Sequence, residues 1–241
     1  MSLTATKTVR ELALELPAAA RVFEKFGIDY CCGGKRTLED ACGAANLQVE
    51  EVLGTLQSAA TSATAKEAES NLSAGPLADL IAHIKDKHHN YTREEIARLV
   101  PLFEKVCCAH GPKHGELFQA QEKFRELAQE LSTHMMKEEM VLFPYIERVE
   151  EARIEGSPIM PAPFGTVRNP VAMMVHEHDS AGDLLRSLRD LTNGYQPPAD
   201  GCLSYRTLYS ALAEFERDLH EHIHLENNVL FPRSIEMEQG S

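Results

Sequence analysis

His134 and Glu138 stand four residues apart within residues 131–144, and His222 and Glu226 stand four apart within residues 219–232. Both runs close on Val-Leu-Phe-Pro, and superposing the two endings places His222 on His134 and Glu226 on Glu138. An internal repeat of this kind decides how the rest of a chain is read. Residues four apart share one helix face, so each imidazole lies one turn from its carboxylate. Such a pair can hold a metal ion, or it can close a hydrogen bond inside a core.

The face these pairs occupy is set by their neighbours. Phe124, Leu127, Leu131, His134, Glu138 and Val141 keep the three-four spacing of a buried stripe, as do Leu208, Leu212, Phe215, Leu219, His222, Glu226 and Val229. A carboxylate in an apolar stripe is costly unless paired or metal-bound. One such pair reads as a hydrogen-bonded core pair; two in phase point to a shared metal site. The Leu-Phe-Pro at the end of each run reads as a helix stop.

The 241 residues carry 24 Lys+Arg against 37 Asp+Glu, a net charge of −13. That balance disfavours nucleic acid and anionic membrane as partners. No run approaches the length of a bilayer span and no export signal opens the chain, so a cytoplasmic protein is expected. The six Cys lack the spacing of a secreted disulfide framework and suit a reducing compartment. The Leu/Ala/Glu periodicity, with no Trp, predicts an all-α fold.

Residues 1–57 read as a small helical domain. Thr8 and Glu11 form a capping box for a first helix. Pro17 opens a second, which ends at Gly27. Cys31, Cys32, Gly33 and Gly34 then occupy a turn ahead of a helix capped by Thr37 and Asp40. Turn N–H groups, the helix dipole, Lys35 and Arg36 would favour a thiolate able to bind iron, take NO or exchange disulfides. Cys42 and the Cys107–Cys108 pair read as packing. Residues 58–74 are a low-complexity linker, in part helical, and residues 75–241 form the second domain.

The run Gly-Ile-Asp-Tyr-Cys-Cys-Gly-Gly-Lys-Arg-Thr-Leu, residues 27–38, resembles the amino-terminal signature of the bacterial repair of iron centres (YtfE/ScdA) family. In that family it precedes a hemerythrin-like di-iron domain, and the resemblance covers nearly the whole chain. It implies a hemerythrin-like four-helix bundle preceded by a small helical domain. Periodicity leaves His88 and His89 open on the first bundle helix; the family pattern falls on His89, Arg93 and Glu94. On the third, the apolar stripe puts His178 inside and His176 outside, and the family's Glu-His-Asp matches Glu177, His178 and Asp179. His220 and His224 lie off the stripe of the fourth helix.

Four helices thus bring His89, His134, His178 and His222 together with Glu138 and Glu226. Four imidazoles and two carboxylates exceed one tetrahedral zinc. They suit two iron ions bridged by the carboxylates, with room for an oxo bridge or an exogenous ligand. His110 and His114 lie in a turn that resembles a His-containing turn of the family, and His110 is a candidate extra ligand. Glu130 and Glu177 are candidates for an acidic surround or iron exit path. The resemblance implies repair of damaged iron–sulfur proteins by iron donation, with NO binding or reduction at the same centre and Cys31 and Cys32 as a redox, NO or iron relay. The sites would meet within one chain or across a homodimer. The alternative is a hemerythrin-type NO or O2 sensor or scavenger.

Overall fold

The computed structural model describes residues 3–16, 18–31, 33–62 and 74–240. The chain divides into two compact units, Met1–Leu80 with His220–Ser241, and Ile81–Leu219. Among the described residues the regular structure is helical; the only extended pairings are isolated bridges at Thr8–Thr37 and Ala162–Gly165. No helix of the described residues is long and apolar enough to cross a membrane.

In the first unit, α1 (Val9–Glu15), α2 (Ala19–Phe26), α3 (Leu38–Ala44) and α4 (Val49–Ser62) enclose a core that includes Val9, Leu12, Phe23, Leu38, Val52 and Leu56. The Thr8/Glu11 capping box is present in full, and the Thr37 side chain accepts from the Asp40 N–H. Gly27 ends α2 at φ +66°, a conformation that costs glycine nothing and a β-carbon residue strain. The turn between α2 and α3 is tied to the start of α1: Val9 N–H donates to Arg36 O at 2.9 Å and Arg10 N–H to Gly34 O at 2.8 Å. Two first-turn N–H groups that a helix cannot satisfy internally are thereby satisfied. α4 runs through Ser62, into the stretch expected as linker; residues 63–73 lie outside the described residues.

The second unit is a four-helix bundle. Its helices are α5 (Leu77–His83) from Ile81 on, continuing into α6 (Asn90–His110), then α7 (Glu116–Lys137), α9 (Arg168–Leu191) and α10 (Leu203–Leu225) up to Leu219. α8 (Phe143–Glu155) extends the line of α7. Phe103 of α6, Phe124 of α7 and Phe215 of α10 meet ring to ring, with centroids 5.3 and 5.7 Å apart. Burying each ring is worth roughly 1.5–3 kcal/mol. Arg189 of α9 donates to Glu216 of α10 at 2.7 Å, and His88, in the segment that leads into α6, faces Asp218 of α10 at 3.1 Å.

The two Phe-Pro sequences do not stop their helices, contrary to the sequence reading. α7 passes through a π-helical segment, Glu138–Leu142, into α8, and α10 passes through Glu226–Leu230 into α11 (Phe231–Gln239). A proline removes one helical N–H and crowds the carbonyl four residues back. The wider π turn relieves this: Phe143 N–H donates to Glu138 O and Phe231 N–H to Glu226 O, five residues back. A third π segment, Ile84–His89, joins α5 to α6. Val141 is half exposed although the stripe predicted it buried, whereas its counterpart Val229, in a π segment of the same length, is buried.

Candidate metal centre

Each π segment carries a predicted ligand at one of its ends: His89 closes the first, Glu138 opens the second and Glu226 opens the third. His178 comes from the uninterrupted α9. All six predicted ligands are buried, and Glu138 and Glu226 are 0 % exposed.

Within the second unit the carboxylate of Glu138 lies between two imidazoles. His89 Nε2 is 3.4 Å from its Oε2, and His134 Nε2 is 3.4 Å from its Oε1. His178 Nε2 faces His134 Nε2 at 3.0 Å. The outer nitrogens of the first two rings are committed elsewhere. His134 Nδ1–H donates to Glu177 Oε2 at 2.9 Å, and His89 Nδ1–H to Glu139 Oε1 at 2.6 Å. This fixes the tautomer that turns each Nε2 lone pair inward, as in carboxylate–histidine–metal arrangements. Lone pairs and a carboxylate converging on one buried point repel each other unless a cation lies among them, so the donor set fits a metal. Mixed nitrogen and oxygen donors from bundle helices suit iron.

In the first unit, His222 Nε2 lies 2.9 Å from Glu226 Oε1, both side chains buried. The predicted His-to-Glu spacing therefore places both partners face to face here as well.

The outer carboxylates are themselves held. Glu177 accepts from Lys137 Nζ at 2.5 Å, and its pKa falls to about 2, first through the hydrogen bond from His134 and then through Lys137 against the cost of burial. Glu139 accepts from Arg93 Nη2 at 2.7 Å. Burial works against its charge, but Arg93 and His89 outweigh it and lower its pKa. Glu130 is exposed and accepts from Ser180 Oγ at 3.0 Å. With Glu177, His176 and Lys137 it lines a cleft of about 480 Å³ whose wall includes His134 and His178.

His88 is as buried as His89 but turns away, its Nδ1 toward Asp218. His110 does not join the ligands. It ends α6, some 21 residues from His89, which is roughly 30 Å along a helix. There it packs on Tyr205, with ring centroids 5.3 Å apart, near His114. Its neighbour is Cys202, exposed at the start of α10, whose pKa is lowered to about 7 by the Tyr205 N–H and then by His110. Cys42 and Cys107 are buried as packing residues, whereas Cys108, read with Cys107 as packing, is exposed.

The surroundings of Cys31 differ from the expectation of positive groups alone. Its thiol donates to Asp29 Oδ1 at 3.2 Å, its N–H donates to the same oxygen at 3.1 Å, and Lys35 and Arg36 point to solvent. Cys32 lies outside the described residues. The backbone of the turn rests on the π segment of the first unit. Asn228 Nδ2 donates to Tyr30 O at 3.2 Å and to His224 Nδ1 at 2.8 Å, and Asn227 Nδ2 reaches Cys31 O at 3.4 Å. Burial pushes the His224 pKa down to about 4, so its ring is neutral and can accept. Sequence reasoning missed Asp29, Glu139, Asp218, Asn227 and Asn228. The repeat gave no signal for them, because Glu139 and Asn227 occupy equivalent positions with different chemistry.

Two family models match the chain. The Hemerythrin HHE cation binding domain covers residues 79–234, which include all six buried ligand candidates. A domain described only as being of unknown function (DUF542) covers residues 5–60. Proteins named iron-sulfur cluster repair protein YtfE from Musicola paradisiaca and Pectobacterium atrosepticum are each 38% identical over 95% of this chain and 96% of their own. A protein named probable iron-sulfur cluster repair protein from Haemophilus influenzae is 36% identical over the same shares. The chain belongs to the YtfE family of hemerythrin-domain proteins. Within that family assignment, the Cys31 turn falls in the amino-terminal match and its Asn227/Asn228 partners fall in the hemerythrin match.

Proposed function

We propose that this YtfE-family chain is a di-iron protein that returns iron to damaged iron–sulfur proteins. The observation that carries the reading is the pairing of buried imidazoles with a buried carboxylate in each copy of the repeat. In the second unit Glu138 lies 3.4 Å from both His89 and His134, with His178 against His134. In the first unit Glu226 lies 2.9 Å from His222. Four buried imidazoles and two buried carboxylates would suit a pair of iron ions bridged by the carboxylates.

Bound there, iron supplies Lewis acidity and one-electron redox chemistry. The residues of the chain do the rest. Glu139 and Glu177 hold His89 and His134 in the tautomer that binds metal. Glu130, Glu177 and His176 line the cleft beside His134 and His178, which gives a cation an acidic way out. Cys31 and Cys32 serve as the relay, passing iron or electrons to the damaged protein or taking NO from it. The domain boundaries 1–57, 58–74 and 75–241, a cytoplasmic location, NO or O2 as small ligands and a homodimer belong to the same proposal.

An NO or O2 sensor or scavenger is the second reading, favoured by the burial of Cys31, which is 5 % exposed. The deciding experiment measures iron transfer from the loaded protein to an apo iron–sulfur enzyme, alongside N2O formation under NO. Transfer that slows in a Cys31→Ser/Cys32→Ser variant with its iron intact supports repair. N2O formation without transfer supports the second reading.

A further inference from the structure

The Tyr30–Cys31 stretch is held by side chains that come immediately after Glu226 in sequence. Asn228 is buried, 7 % exposed, and spends its amide hydrogens on Tyr30 O and His224 Nδ1. Its own backbone carbonyl accepts from Arg10 Nη2 at 3.1 Å. Asn227 reaches the next carbonyl along, that of Cys31. The Tyr30 ring lies against His224, with centroids 5.3 Å apart, and its hydroxyl donates to Glu24 at 3.0 Å. A β-carbon at Gly34 would stand 2.7 Å from Tyr30 O, so only glycine there lets the turn fold back onto this carbonyl.

The internal repeat supplies a control built into the chain. The counterpart of Asn228 is Met140, which is 72 % exposed and lies in a π segment of the same length. A π segment therefore does not by itself need an amide at this position. The asparagine serves the Cys31 turn.

We propose that Asn228, assisted by Asn227 and Arg10, is a positioning residue that registers the Cys31 turn on the Glu226 π segment and makes access to Cys31 depend on the metal. Glu226, Asn227 and Asn228 are consecutive, so a metal ion that fixes the Glu226 carboxylate also fixes the two amides. With iron bound the turn is held and Cys31 stays covered. Once iron has left, the segment relaxes, the carbonyls of Tyr30 and Cys31 lose their donors, and the thiol is exposed to a partner. The functional side of this inference rests on the relay role given to Cys31 above.

The test uses the full chain, iron-loaded and chelator-stripped, in a Cys32→Ser background so that Cys31 is the one thiol in its peptide. Iodoacetamide labelling is read by mass spectrometry, with exposed Cys108 and Cys202 as references and buried Cys42 and Cys107 as reporters of unfolding. In the loaded protein, Asn228→Met should speed Cys31 labelling on the order of tenfold, the value of one or two lost hydrogen bonds. The other four thiols and the iron content should not change. Arg10→Ala should give a smaller increase of the same pattern, which keeps the test alive if Asn228→Met folds poorly. Stripping iron should speed Cys31 labelling in the parent and add little in Asn228→Met.

Unchanged Cys31 labelling in both variants would overturn the clamp. Labelling of Cys42 and Cys107 that rises with Cys31 would mean that Asn228 only stabilises the fold, and would overturn it too. Parent labelling that ignores iron would overturn the metal dependence. The relay reading is judged separately: if Cys31→Ser repairs clusters as fast as the parent, that reading fails whatever the labelling shows.

Discussion

Residues 131–144 and 219–232 share a histidine, a glutamate, a π segment and a Phe-Pro ending, yet the residues between those fixed points do different work. After Glu138 comes Glu139, which orients the ring of His89 and is itself held by Arg93. After Glu226 come Asn227 and Asn228, which hold the backbone of the Cys31 turn. In the first copy the next side chain, Met140, is exposed; in the second its counterpart is buried. The difference teaches that the repeated elements are the buried candidate ligands, while the residues beside them were free to diverge. One copy tunes a ligand and the other docks a loop.

The largest effect is expected where the copies agree. His134→Ala and His222→Ala should each cut the iron content well below the about two per chain proposed for the parent. Each should also lower the melting temperature of the as-isolated protein by several degrees, because metal that binds only the folded state stabilises it. Metal analysis and thermal melts read both. A variant of one copy that keeps full iron while the other loses it would show that the copies are not equivalent.

Where they differ, a smaller effect is expected. Glu139→Gln and Glu177→Gln remove the carboxylates that orient His89 and His134, and iron affinity should fall roughly 10–100-fold in competition with a chelator. Asn227→Ala should leave the affinity within error. Met140→Asn, which gives the first copy the asparagine of the second, is a surface change and should shift stability by no more than about 0.5 kcal/mol.

The smallest effect is a pH dependence. The pKa of Glu177 is lowered to about 2 from 4.5, first by its hydrogen bond from His134 and then by Lys137, against burial. A depressed carboxylate contributes stability that is complete above its unfolded pKa and is lost as pH falls through the folded one. Iron-free parent protein should therefore lose stability between about pH 4.5 and 2 more steeply than iron-free Glu177→Gln, as measured by denaturant midpoints. Parallel curves would show that the Glu177–His134 contact carries no net stability.

Much of this was legible in the sequence for a physical reason. A buried stripe with ionisable residues is costly, so finding the same imidazole and carboxylate twice in phase pointed to the site. Thr8, Gly27 and Thr37 announced helix ends because their side chains or backbone freedom act within one turn. The π segments were not legible. Their bonds belong to the backbone, and the prolines that accompany them read locally as stops. His110 was misplaced because spacing along a turn does not reveal which end of a helix it occupies relative to the ligands. Asn228 escaped for a related reason: its acceptor, Tyr30 O, is brought to it by tertiary contact. Asp29 escaped although its bonds are local, to the N–H and thiol of Cys31 two residues on, because only positive groups were expected around the thiol.

The proposed bridging role of Glu138 and Glu226 is the central claim, and iron counting in Glu138→Gln and Glu226→Gln tests it most directly. A carboxylate that bridges two ions is lost to both, so either substitution should remove both irons together, leaving well under one per chain and no state with a single tightly held ion. Retention of one firmly bound iron in either variant would contradict a bridged pair and show two independent sites.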